Sequence, residues 1–310
     1  MSRARVYAQL VRLPNVFTAM ADIGLGVLAS GGPPRLWPQA ILLLLASSCL
    51  YCGGMVWNDF FDLDQDRRER PFRPLPSGRV TPAAAARLGV GLLTAGLVLA
   101  YAAGWAGQTG TGSADGHAWR SAPVVIAAVL AAAILLYDGW LKRTWAGPLA
   151  MGACRFLNVL LGWQVAVAAG RPWTLGVHLA CVVGLYIVGV TWFARTEART
   201  SSQSALRGAA LVMLASLVLA LPVPEYLDRG TPSFLFTPLL VGLGFLVGIT
   251  VCQAIALPLP SRVQLAVKRA ILGLVVLDAV LATALVGEVG LVLLVLLLPA
   301  LYLGRWIYST

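Results

Sequence analysis

Residues 38 to 59, PQAILLLLASSCLYCGGMVWND, are an apolar run that ends in charge, and residues 60 to 79, FFDLDQDRRERPFRPLPSGR, carry that charge onward. Twenty-odd apolar residues in a helix are enough to cross a hydrocarbon core of about 30 Å, so the stretch predicts a membrane span with an ionic cluster at its end. At about 100° of rotation per residue, Asp59, Asp62 and Asp66 share one helical stripe while Asp64 points away. Three carboxylates on one stripe offer the hard oxygen donors that suit Mg²⁺, which usually keeps water or substrate phosphate among its ligands. The restricted segment around Pro71, Pro74 and Pro76 and the adjoining Asn58 mark a built site, whereas Arg67, Arg68 and Glu69 read equally well as a solvated loop.

The rest of the chain repeats the apolar pattern. Hydrophobic residues make up 59% of its 310 residues and charged residues 12%. Nine to ten spans are predicted, near 15–31, 38–59, 82–105, 121–140, 147–169, 174–197, 204–222, 234–257, 266–286 and 289–306, the last two counting as one or two, in a single all-α membrane domain over residues 1–310. The last two are divided only by Gly287-Glu288-Val289-Gly290. A continuous helix of that length would be about twice as long as a bilayer is thick, which argues for a tight turn.

The net charge of +10 could suit nucleic acid, but its placement follows the positive-inside rule. Cations gather before the first span, between residues 67 and 79, at Lys142 and Arg143, at Arg195, Arg199 and Arg207, and at Arg262, Lys268 and Arg269. The alternate connections carry only Arg35, Arg120, Arg171 and Arg229. The amino terminus and the acid cluster are therefore expected at the cytoplasmic side of an integral membrane protein with no nucleic-acid partner. Nothing resembles a cleavable leader. The five cysteines lie in or beside apolar segments, and Cys49-x-x-Cys52 lacks a second pair, so packing is their expected role.

Polar residues at membrane depth are costly and mark functional candidates. Asn15 and Asp22 lie on one face of the first span, Tyr137 and Asp138 end the fourth, Arg155 and Asn158 lie in the fifth, and Asp278 lies in the ninth. All are candidates to line a cavity. His178 is expected to be satisfied by a neighbour, and residues 106–120 to form an external loop. Trp57, Trp140, Trp145, Trp163 and Trp173 are expected as interfacial belt residues.

Asn58-Asp59-x-x-Asp62-x-x-x-Asp66 resembles the first aspartate-rich motif of the UbiA superfamily of intramembrane prenyltransferases. Arg70-Pro-x-Arg73-Pro-Leu-Pro-Ser-Gly78, Arg12-x-Pro14-Asn15, and Tyr137 with Leu141-Lys142-Arg143 are similar to further landmarks of that family. The resemblance implies an all-α bundle around a central cavity open to lipid, and transfer of a prenyl chain from an isoprenyl diphosphate to a lipophilic acceptor. It further implies that Asp59, Asp62 and Asp66 hold Mg²⁺ against the diphosphate with Asn58 beside them, and that Arg73 and Lys142 contact phosphate.

The second motif departs from the family pattern. Its equivalent positions are Val190, Glu197 and Ser201, so only Glu197 is acidic, and Arg195 and Arg199 would have to take over part of the diphosphate charge. That departure resembles a divergent branch similar to the EboC type of bacterial clusters, which implies a bacterial inner membrane. It also keeps a second function in view: a catalytically reduced protein that binds or helps transport an isoprenoid or its conjugate. A CDP-alcohol phosphotransferase is disfavoured because its Asp-Gly-x-x-Ala-Arg signature is missing. A secondary transporter is disfavoured because the densest acids sit at the membrane edge rather than the midplane. Neither the acceptor nor the oligomeric state is encoded in any pattern found.

Overall fold

A computed structural model describes residues 2–107, 116–195, 202–226 and 233–308 and shows helices with no strand among them. The helices are α1 (Arg3–Leu10), α2 (Val16–Ala29), α3 (Trp37–Phe61), α4 (Leu63–Glu69), α5 (Pro82–Ala106), α6 (Gly116–Gly139), α7 (Gly147–Ala168), α8 (Trp173–Ala194), α9 (Gln203–Ala220), α10 (Phe236–Ala256), α11 (Pro260–Val286) and α12 (Leu297–Tyr308). Among the described residues eight stretches are long and apolar enough to span a bilayer, and α1 with α2, bent by 50°, would make a ninth. This is the polytopic helical fold expected from the sequence, and it is the solution lipid imposes, because helices satisfy their backbone polar groups internally.

Local chemistry sets the helix ends. Pro38, Pro82, Pro148 and Pro260 stand in first turns, where a missing N–H costs nothing. Thr81 caps α5 by accepting a hydrogen bond from the Ala84 amide at 3.3 Å. Arg12 is left-handed (φ 48°) among the described residues and is followed by a short 3-10 turn over Leu13–Asn15. That bend turns α1 away from α2.

The carboxyl-terminal stretch Pro260–Ile307 doubles back. Helix α11 ends at Gly287, where φ is 68°, and the following 3-10 segment, Gly287–Leu296, packs against α11 with Gly290 against the backbone of Ala282 and Thr283. Helix α12 then reaches the amino terminus. Gln9 Nε2 donates to the Ile307 carbonyl at 3.0 Å, and the Arg5 guanidinium lies 5.9 Å from the Trp306 ring centre. The turn expected between the last two spans is therefore present.

Other expectations need correction. Helix α6 begins at Gly116, inside the stretch read as an external loop, and the loop's centre lies outside the described residues. Trp163 is no belt residue: it is fully buried against Gly176 and donates to the Pro172 carbonyl at 3.2 Å. Trp57 is half-buried and stacks on Phe61. Apolar composition near a span end does not separate lipid-facing from helix-facing positions, and here the partners are other helices. Trp140 and Trp145 are exposed, as a belt requires. His178 is satisfied by Tyr226 Oη at 3.0 Å and the Leu219 carbonyl at 2.7 Å.

Helices α2, α3, α6 and α7 pack each against the next in a ring. The α2–α7 side closes tightly because Gly26 and Gly162 meet backbone to backbone, and a Cβ on either would enter the other helix. Gly162→Leu should lower stability by about 1–3 kcal/mol through this overpacking, read as thermal unfolding in detergent. Gly91→Ala, with nothing within 4 Å of its new Cβ, should leave the transition in place. Equal behaviour of the two variants would contradict the close crossing.

Candidate active site

The acid stripe lies where α3 ends. Helix α3 stops at Phe61 and α4 begins at Leu63, with Asp62 between them at φ −92°, ψ 3°. Helical bonding nevertheless carries through: the Asp62 amide donates to the Asn58 carbonyl at 3.1 Å, and the Asp66 amide to the Asp62 carbonyl at 2.8 Å. Asp59 and Asp66 are 3% exposed. Asp64 points outward as expected, its side chain 87% exposed beside Arg67.

Each buried or half-buried acid is met by a cation from another segment. Arg73 reaches back from the proline-rich loop and donates to Asp66 Oδ2 at 2.7 Å and Asp59 Oδ1 at 3.4 Å. One guanidinium nitrogen thus holds both acids, so their oxygens lie within about 6 Å of each other. Arg12 donates to Asp59 Oδ1 at 3.0 Å and to Asn58 Oδ1 at 3.4 Å. On the opposite side, Lys142 Nζ sits 2.7 Å from Asp62 Oδ2 and Arg143 Nη2 3.3 Å from Asp62 Oδ1. Lys142 makes its contact as an ion pair, outside hydrogen-bonding angles. Asn58 Nδ2 donates to Asp138 Oδ1 at 2.7 Å, tying α3 to α6.

The oxygen donors suit Mg²⁺ by chemistry. With the cations in place they form an ion-pair lattice, and among the described residues no three acid, histidine or cysteine side chains close on one point. Arg12 and Asp138 belong to this lattice, although the sequence reading placed neither among the binding residues. The Arg12-x-Pro14-Asn15 pattern was the available signal for Arg12. Arg195, at the end of α8, donates to the Thr144 carbonyl at 2.9 Å and so braces the turn that carries Lys142 and Arg143. Glu197 and Arg199 lie outside the described residues. Val190, one of the second-motif positions, is buried, as is Phe193, in the large apolar core that α8 shares with α9.

Next to the lattice, and sharing Asp138 with it, lies a half-open cavity of about 60 Å³. Its walls come from α2, α3, α6 and α7 alone. Tyr137, Asp138, Ser47, Arg155 and Asn158 belong to its polar lining, and Asp138 accepts from Asn58 of the lattice. Of the other polar candidates, Asp22 and Asp278 sit behind this wall with no exposure, and Asn15 is half-buried at the start of α2.

Asp22 Oδ2 accepts from Arg155 Nη1 at 3.0 Å and from Asn158 Nδ2 at 2.7 Å, and Arg155 Nη2 donates to Thr18 Oγ1 at 2.6 Å. Asp278 turns its carboxyl toward Asp22 from α11. Removing one partner of a buried pair leaves an uncompensated charge, so Arg155→Ala should cost about 3–5 kcal/mol of stability, measured by thermal or denaturant unfolding in detergent. Asp22→Asn combined with Arg155→Met should recover most of that loss. A fully stable Arg155→Ala protein would contradict the buried pairing.

Comparison with known proteins bears on the family and the fold. The sequence profile of the UbiA prenyltransferase family matches residues 16–255. The digeranylgeranylglyceryl phosphate synthase of Sulfurisphaera tokodaii is 33% identical over 95 residues, which are 31% of this chain and 34% of that protein. The synthase of Metallosphaera sedula is 28% identical over 161 residues, half of each chain. The chain thus spans about a third to a half of the length of these curated relatives. Among solved structures, a UbiA homologue from Aeropyrum pernix K1 superposes with a TM-score of 0.60 at 19% identity, covering 86% of this chain and 96% of that one. A homologue from Archaeoglobus fulgidus bound to GPP and Mg²⁺ gives 0.55 at 14% identity, covering 87% and 99%. These superpositions show a shared fold, and the profile match over most of the sequence places this integral membrane chain in the UbiA prenyltransferase family.

Proposed function

We propose that the protein transfers a prenyl group from an isoprenyl diphosphate to a lipophilic acceptor within the membrane, with Mg²⁺ as its metal. The observation that carries this reading is an ion-pair lattice adjoining a mostly apolar cavity, the two linked through Asp138. A diphosphate can exchange into the lattice while its hydrocarbon tail enters the cavity.

Asp59, Asp62 and Asp66 are the proposed Mg²⁺ ligands and catalytic acids, with Asn58 alongside. When bound there, the metal would neutralise the charge that collects on the departing diphosphate. Arg73, Lys142 and Arg12, released from the carboxylates, would donate to phosphate oxygens where negative charge develops. Arg195 supports Lys142 through the Leu141–Thr144 turn, and Arg199 and Glu197 are proposed to join from the following connection. The apolar walls formed by Leu50, Met55, Ile134 and Met151 would keep water from the allylic carbon as its bond to oxygen breaks. The acceptor then bonds to that carbon and loses a proton. We further propose that the amino terminus and the acid lattice face the cytoplasm. The matched relatives named above are archaeal, so the host membrane is proposed only as a prokaryotic cytoplasmic membrane.

One observation favours the second reading, an isoprenoid-binding protein with little or no turnover. Val190 is packed in an apolar core, so α8 contributes no acid at that second-motif position. Diphosphate release by the purified protein separates the two. Turnover that needs Mg²⁺ and drops by about 10²-fold or more in Asp62→Asn supports transfer. Metal-dependent binding of a prenyl diphosphate with no release, in wild type and variant alike, supports the second reading.

A further inference from the structure

Where α2 packs on both α7 and α11, two buried acids share one cation. Asp22 of α2 and Asp278 of α11 have no exposure, and Arg155 of α7 is nearly as deep. Asp22 Oδ2 is well provided for, since it accepts from Arg155 Nη1 at 3.0 Å and from Asn158 Nδ2 at 2.7 Å. Three oxygens are not. Asp22 Oδ1 and both carboxyl oxygens of Asp278 are buried and accept no hydrogen bond among the described residues, although the two carboxyls face each other within hydrogen-bonding reach.

The surroundings supply nothing further. Arg155 is the cation that acts on both acids. On α3, the Tyr51 ring centre lies 5.8 Å from the Arg155 guanidinium carbon. On α8, Tyr186 spends its hydroxyl on the Ala270 carbonyl at 2.9 Å, and Glu288, just past α11, is exposed. The buried hydroxyls of α2 and α11 are also spent, Thr18 on the Asn15 carbonyl at 2.8 Å and Thr283 on the Ala279 carbonyl at 2.7 Å.

Two carboxylates against one guanidinium would leave a net negative charge in a medium that cannot screen it, and like charges in contact do not both ionise. Water would supply donors but leave the charge uncancelled. Mg²⁺ asks for a fuller set of oxygen ligands, and among the described residues no three acid, histidine or cysteine side chains close on one point. A proton answers both needs at once, because it removes one charge and turns an acceptor into a donor. We propose that Asp278 is a proton-binding site of the membrane domain: it keeps its proton at neutral pH and donates it to Asp22 Oδ1, joining α11 to α2 and α7. The three ionisable groups then sum to zero charge. This assignment is independent of the prenyl-transfer reading. Folding takes up a proton here, so stability should fall as pH rises.

Infrared difference spectroscopy of the purified protein at neutral pH tests the assignment. Wild type minus Asp278→Asn should show the carbonyl stretch of a protonated carboxylic acid, moved to lower frequency in D₂O. Asp22→Asn should remove the same band, because Asp278 would then ionise to balance Arg155. Thermal unfolding in detergent gives a second reading: above neutral pH the wild-type midpoint should fall relative to that of Asp278→Asn, whose amide donates to Asp22 at every pH. Should neither variant fold, the band retained in Asp138→Asn supports the assignment, and its absence there overturns it. A band unchanged in both folded variants would overturn the proposal, as would equal pH dependence of wild type and Asp278→Asn. A midpoint raised by Na⁺ but not by K⁺ in wild type alone would make the occupant a metal ion and overturn it too.

Discussion

Carboxylates taken out of water at a membrane boundary must be neutralised, and here the neutralising charges come from parts of the chain far apart in sequence. Arg73 closes on Asp59 and Asp66 from the loop after α4, Arg12 arrives from before the first span, and Lys142 and Arg143 come from the turn after α6. The lattice therefore fixes how α1, α3, α6 and the proline-rich loop meet. It also stores cations beside the acids, which is the arrangement an incoming anion and its metal would need. Such a site keeps its charges paired, so the cost of desolvating each carboxylate is offset within the fold.

The chain divides unevenly between chemistry and packing. The cavity and the described members of the lattice belong to the stretch before α8, apart from the brace that Arg195 supplies. Helices α8 to α11 share a large apolar core with α7, and α11 adds Asp278 to the polar network. Burial of Val190 in that core explains in physical terms why a second acid cluster would be hard to house there: an acid at that position would need a partner the apolar surroundings do not provide. Arg195 shows another use for the same end of α8, support of the basic turn that carries Lys142 and Arg143.

Much of this was readable in the residues. Apolar length pointed to the spans, helical spacing put Asp59, Asp62 and Asp66 on one stripe with Asp64 turned away, and the turn at Gly287 followed from the thickness of a bilayer. What escaped was information carried by pairing across the fold. Arg12 sits 47 positions from Asp59, and no local spacing relates them. Trp163 looked interfacial because hydropathy does not say whether an apolar neighbour is lipid or helix. Asp22, Arg155 and Asn158 were recognisable as candidates to line a cavity, which Arg155 and Asn158 do, but that the three pair with one another depends on α2 and α7 crossing at Gly26 and Gly162.

The most direct test of the central claim is anomalous diffraction from crystals grown with Mn²⁺ in place of Mg²⁺ and a non-hydrolysable geranyl diphosphate analogue. A manganese peak within ligand distance of Asp59, Asp62 or Asp66, with Arg73 or Lys142 moved onto phosphate and the hydrocarbon directed between α3 and α7, is the predicted result. Metal bound elsewhere, or a diphosphate seated away from an unchanged ion-pair lattice, would contradict it.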